Sequence, residues 1–134
     1  MQLERIDHLV LTVQSIKASC AFYTKVLGMK VVAFQGGRKA VVFGNQKINL
    51  HESGKEFAPK ALRPTPGSAD LCFVARDPLT KIISHLDDCG VKIIEGPVKR
   101  TGAMGPITSI YIRDPDQNLI EIAVYNQETR KKKG

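Results

Sequence analysis

Four residues carry the types that could do chemistry: His8, Asn49, Asp70 and Glu121. An imidazole, two carboxylates and an amide are donors that suit a divalent cation. Each of the four sits in a short apolar run: Ile6-Asp7-His8-Leu9-Val10-Leu11-Thr12-Val13, Lys47-Ile48-Asn49-Leu50-His51, Ala69-Asp70-Leu71-Cys72-Phe73-Val74-Ala75 and Asn118-Leu119-Ile120-Glu121-Ile122. Side chains alternate along a strand, so each run puts a polar group on the face opposite its apolar one. A lone histidine or carboxylate in a strand is ordinarily solvated or bonded locally. Four at related positions carry more weight, because a buried carboxylate must be paired, protonated or bound to a metal. His51 shares the face of Asn49, and Cys72 that of Asp70. His51 could add an imidazole to the site, though a residue so near the end of its strand more readily caps the cavity rim. Cys72 could line a cavity.

The elements that must position these residues come twice. The offset that carries His8 onto Asp70 also carries Gly28-Met29-Lys30-Val31-Val32 onto Gly90-Val91-Lys92-Ile93-Ile94, and internal repeats of this kind govern the fold. The first copy predicts a strand over 6–13, a helix from an N-cap at Ser15 to Leu27, a stop at Gly28, and strands over 30–35, 38–44 and 47–51. Leu9, Leu11 and Val13 would pack beneath the helix. Residues 52–67, with Gly54, Pro59, Pro64, Pro66 and Gly67, read as a linker. The second copy predicts a strand over 69–75, a helix over 78–89, and strands over 92–98, 106–113 and 118–125. Lys99 to Gly105 reads as a loop and Asp114-Pro115-Asp116-Gln117-Asn118 as a tight turn. The fold class is therefore α+β: two βαβββ modules, about 4–51 and 68–126, in one domain of residues 1–134, their curved mixed sheets enclosing a cavity.

Composition narrows the function classes. The chain is 43% hydrophobic and 25% charged, ordinary globular values. No apolar run reaches a membrane span, and the start lacks a signal-peptide pattern, so a cytoplasmic protein with no membrane partner is expected. The net charge is +7, but Arg130, Lys131, Lys132 and Lys133 supply more than half of it. That run, within 127–134, reads as a disordered, solvated tail. With 6% aromatic residues and no Trp there is no stacking platform, and nucleic acid is not an expected partner. Cys20, Cys72 and Cys89 are an odd number, which argues against a disulfide framework. Cys20 and Cys89 read as small buried hydrophobes.

The opening run, Phe22-Tyr23-Thr24-Lys25-Val26-Leu27-Gly28-Met29, and Asp114-Pro115-Asp116-Gln117-Asn118-Leu119-Ile120-Glu121-Ile122 resemble the vicinal oxygen chelate superfamily, which contains glyoxalases, bleomycin-resistance proteins and dioxygenases. Phe43 to Glu52, Gly54 to Ala61 and Glu95 to Ala103 are similar to a subfamily of glyoxalase domain-containing proteins. The resemblance covers about residues 4–126. It implies the glyoxalase-like fold, a homodimer, and a divalent metal ion (Zn, Ni, Mn or Fe) that chelates vicinal oxygens of a small-molecule substrate. The family's metal positions fall on His8, Asn49, Asp70 and Glu121. His8 and Glu121 match the usual ligand types. Asp70 stands where many members carry His, and Asn49 where glyoxalase I carries Glu. The expected ligands are His8, Asp70 and Glu121, with Glu121 also catalytic. Asn49 or a water would orient the substrate. Lys99 and Arg100, near the mouth, could attract an anionic one, although ordinary solvated charge is the simpler reading of that pair. The implied activities are those of a lyase, isomerase or dioxygenase. A metal-free binding protein of the bleomycin-resistance type and a non-catalytic dimeric interaction protein are the alternatives.

Overall fold

The computed structural model describes residues 1–126; the basic run at 127–134 lies outside them. The described residues divide into two compact units, the first formed by Met1–Ala69 with Pro115–Gln117, the second by Asp70–Asp114 with 118–126. Each unit carries one four-stranded mixed sheet and one α-helix.

In the first unit β1 (His8–Val13) leads into α1 (Ile16–Lys25), then β2 (Lys30–Phe34), β3 (Arg38–Phe43) and β4 (Gln46–Glu52). The sheet order is β1-β4-β3-β2, with β1 parallel to β4 and the other pairs antiparallel. Ser15 caps α1 by accepting the N–H of Ala18 at 3.0 Å, a contact worth about 1 kcal/mol. Gly28, at φ +70°, closes the helix. Leu11, Val13, Val41, Ile48 and Leu50 are buried, as are Tyr23, Val26 and Met29 at and after the helix. Each such side chain contributes about 1.5–3 kcal/mol on leaving water.

In the second unit the order is β5 (Asp70–Val74), α2 (Leu79–Asp88), β6 (Glu95–Gly102), β7 (Gly105–Arg113) and β8 (Leu119–Tyr125). The sheet runs β5-β8-β7-β6, again with one parallel pair, β5 to β8. Ile110, Ile112, Ile120 and Ile122 fill its apolar side. The turn at 114–118 is tied by the Asp114 carboxylate, which accepts the backbone N–H of Asn118 at 2.9 Å and its side-chain amide at 2.8 Å.

The elements match the expected βαβββ order in both units, with one displacement. The strand expected at 92–98 runs instead from Glu95 to Gly102, so Lys99 and Arg100 lie in a strand and not in a loop. Lys99 pairs with Thr108, Arg100 with Ile107 and Thr101 with Pro106, leaving Ala103 and Met104 as the hairpin turn. This edge strand has almost no apolar residues: most of it is exposed, and its Lys99 and Arg100 are charges of the kind that blunt a sheet edge. A register irregularity between Glu95 and Val98 accommodates Pro97.

Candidate functional site

The polar side of the second sheet is built by register. Glu95 stands opposite Tyr111, Tyr111 opposite Glu121, and Glu121 opposite Cys72. One row across β6, β7, β8 and β5 thus carries two carboxylates, a phenol and a thiol on one face. Asp70 and Arg113 flank the row through Leu119. Asp70, Glu95, Arg100, Tyr111, Arg113 and Glu121, with the apolar Ile94 and Leu119, line a cavity of about 420 Å³; Cys72 is not among its lining residues.

Two links fix the chemistry of that cavity. The fully buried Ser109 hydroxyl donates to Glu121 Oε2 at 2.6 Å, which sets the direction of the carboxylate. On the other side Arg100 donates through Nε to the Tyr111 hydroxyl at 3.0 Å, through Nη1 to the Lys99 carbonyl at 3.1 Å, and through Nη2 to Glu95 Oε2 at 2.6 Å. The ion pair with Glu95 is exposed and stabilises the fold little; its effect is to hold the guanidinium in place. Burial, and then the Glu121 carboxylate beside it, push the Cys72 thiol up to about 11. The Asp70 charge acts in the same direction. Cys72 is therefore a thiol at neutral pH and a poor nucleophile.

The first unit has a polar face of its own. Asn49 stands opposite Val10 on β1 and Ala40 on β3. Val10 with Asn49 and Cys72 with Glu121 are matching parallel pairs, so the registers place Asn49 and Glu121 at equivalent positions in the two units. Asn49 Oδ1 is buried and meets no hydrogen-bond donor among the described residues. His51, 9% exposed, packs edge-on to Phe57 at 5.6 Å, and the Arg38 guanidinium covers the same ring at 3.9 Å. Burial, then the Arg38 charge, lower the His51 pKa. His8 is the most exposed of the group, its Nδ1 bonded to Asp7 Oδ1 at 2.8 Å. That bond, above all, lowers the Asp7 carboxyl.

The structure thus gathers Asp70, Cys72, Arg100 and Glu121 on one side of the second unit, and His8, Asn49 and His51 on one side of the first. Lys99, in contrast, alternates away from Arg100 and takes no part in the cavity. Tyr111, Ser109, Glu95 and Arg113 join the site although their types and spacing alone do not single them out. Counting back from the Asp114 turn, β7 alternates Tyr111 and Ser109 against Ile110 and Ile112, a pattern that could have marked them.

A divalent metal fits this arrangement only in part. Imidazole and carboxylate are suitable donors, and Asp70 and Glu121 occupy one face. Yet among the described residues no three His, Cys, Asp or Glu side chains stand together as metal donors. His8 belongs to the first unit and has one ring nitrogen engaged by Asp7.

Residues 5–122 match the family model described as the Glyoxalase/Bleomycin resistance protein/Dioxygenase superfamily. The chain belongs to this superfamily. Virulence protein STM3117 of Salmonella typhimurium strain LT2 is 58% identical over 125 residues, covering 93% of this chain and 87% of that one. Its crystal structure superposes with a TM-score of 0.93 over 94% of this chain and 100% of that chain, at 58% identity. The glyoxalase domain-containing protein RDO1 of Mycosarcoma maydis is 57% identical over 125 residues, covering 93% of this chain and 70% of that one. An integron cassette protein from the mobile metagenome of V. cholerae, 57% identical, superposes with a TM-score of 0.92 over 94% and 98% of the two chains. The α+β fold of two four-stranded mixed sheets is the glyoxalase-like fold of this superfamily. No helix among the described residues is long and apolar enough to cross a membrane.

Proposed function

We propose that the chain binds and transforms a small, oxygen-rich molecule in the cavity of its second unit, with Glu121 as the group that accepts and returns a proton. The observation that carries this reading is the Ser109-to-Glu121 bond at 2.6 Å: a buried hydroxyl orients a carboxylate toward a cavity of about 420 Å³. Positioned acid–base groups of this kind contribute through their aim and reach. The wall sets the guanidinium groups of Arg100 and Arg113 among the carboxylates of Asp70, Glu95 and Glu121, which suits a small polar ligand with both donors and acceptors. The names of the relatives, one a glyoxalase domain-containing protein, support small-molecule chemistry without specifying a reaction.

A second reading, favoured by Asp70 and Glu121 sharing a face, is that His8, Asp70 and Glu121 hold a divalent metal ion that polarises the substrate oxygens. Among the described residues no three His, Cys, Asp or Glu side chains stand together to hold such an ion. Elemental analysis of the purified protein, followed by calorimetric titration with Mn, Fe, Co, Ni and Zn, separates the two. Stoichiometric binding lost in a His8→Ala/Glu121→Ala variant supports the metal site. Absence of binding by all five ions leaves Glu121 to act on the ligand without a metal.

A further inference from the structure

We propose that Tyr111 is a ligand-contacting residue: its hydroxyl, held by Arg100, donates a hydrogen bond to an oxygen of the small molecule that meets Glu121. The inference rests on the reading that this cavity takes such a molecule.

A phenol has one proton to give and an oxygen that accepts. The Tyr111 oxygen already accepts from Arg100 Nε at 3.0 Å. Its own proton has no acceptor among the described residues. Neither carboxylate opposite it receives that proton: the contacts of Glu95 and Glu121 in the row are to Arg100 Nη2 and to the Ser109 hydroxyl, each at 2.6 Å and each on Oε2. A hydrogen-bond donor is therefore left unspent on the wall of a cavity, where only solvent or a ligand can satisfy it.

Arg100 makes this donor both fixed and strong. Three contacts hold the guanidinium, and its charge beside the phenol oxygen draws electron density from the O–H bond. Glu95 touches no ligand in this scheme; it is a positioning residue that acts through Arg100. Tyr111 and Glu121 are direct partners in the ladder, with β-carbons about 5 Å apart. A donor and a proton acceptor so placed select a ligand with a carbonyl or carboxylate oxygen a few atoms from the position that faces Glu121.

The test is a titration of the full chain with pyruvate, lactate and oxalate, followed by NMR amide shifts, with a fixed excess of Mn²⁺ throughout so that a metal requirement does not decide the result. Tyr111→Phe keeps the ring and removes only the hydroxyl, and should weaken the acid that binds by about tenfold. Arg100→Lys should weaken it in the same direction. Ligand binding to the wild type should also perturb the near-ultraviolet tyrosine absorption, a signal that Tyr111→Phe abolishes and a merely structural role would not produce. Affinity within twofold of wild type in Tyr111→Phe, with binding lost in Glu121→Gln, overturns this inference and leaves the proposed site standing. Wild-type binding without a tyrosine signal does the same should the variant fail to fold. If none of the acids binds the wild type, or if neither substitution matters, both readings fall.

Discussion

Replacing Ser109 by alanine isolates the contact on which the site depends. The hydroxyl is fully buried and lies 2.6 Å from Glu121 Oε2. Alanine removes one oxygen and adds no bulk, so cavity and strain effects are small. A hydrogen bond to a charged acceptor is worth about 1.5–3 kcal/mol. Glu121 borders the cavity, and water entering there replaces part of what is lost, which lowers the expected cost to about 1–2 kcal/mol. For a chain of this length that is a fall in Tm of roughly 3–10 °C. The chain has no Trp, so unfolding is best followed by circular dichroism in urea. A double-mutant cycle with Glu121→Ala should return a coupling of about 1 kcal/mol or more. Coupling below about 0.3 kcal/mol, the level expected of independent sites, would refute the claim that Ser109 orients Glu121.

Three further substitutions probe the scaffold around the two polar faces. Gly96 has φ +104°, and a β-carbon there would stand 2.5 Å from the Ser109 carbonyl oxygen and 3.0 Å from the Ile110 Cα, so Gly96→Ala should cost about 2–4 kcal/mol. Gly44→Ala, at φ +51° with open space around it, should cost only the conformational strain of about 1 kcal/mol; equal urea midpoints for the two variants would contradict the packing argument. His51 is held neutral by burial and by Arg38. The unfolded chain takes up a proton near pH 6.5 that the folded chain resists, so stability is unaffected by this group above that pH and falls as pH drops below it. Melting curves at pH 8, 6 and 5 should therefore show a steeper loss in the wild type than in His51→Gln, and parallel curves would show that His51 does not contribute.

Much of the local structure is legible in residue order, for local reasons. Ser15 caps a helix and Gly28 and Gly90 end two, because these depend on short-range hydrogen bonds and on backbone freedom. The alternation at Leu9, Leu11 and Val13 against His8 and Val10 gives the faces of β1 with no knowledge of its neighbours. The stretch from Lys99 to Gly102 reads as a loop because its residues are polar and exposed and carry no apolar period; only its pairing with β7 makes it a strand. Tyr111 and Ser109 escape notice for a related reason. Nothing near them in sequence says that Glu121 and Glu95 stand opposite, since a strand's partner is chosen by register with distant segments.

The sequence by itself thus determined the repeated βαβββ order, the apolar side of each sheet, and the identity of His8, Asn49, Asp70 and Glu121 as the polar exceptions, because these follow from periodicity and composition. Only the tertiary structure decided which of them meet. Strand pairing brought Ser109, Tyr111 and Arg100 to Glu121, turned Lys99 away, and buried His51 against Phe57. Hydrogen bonds of about 3 Å depend on register between segments far apart in the chain, and no local pattern encodes that register.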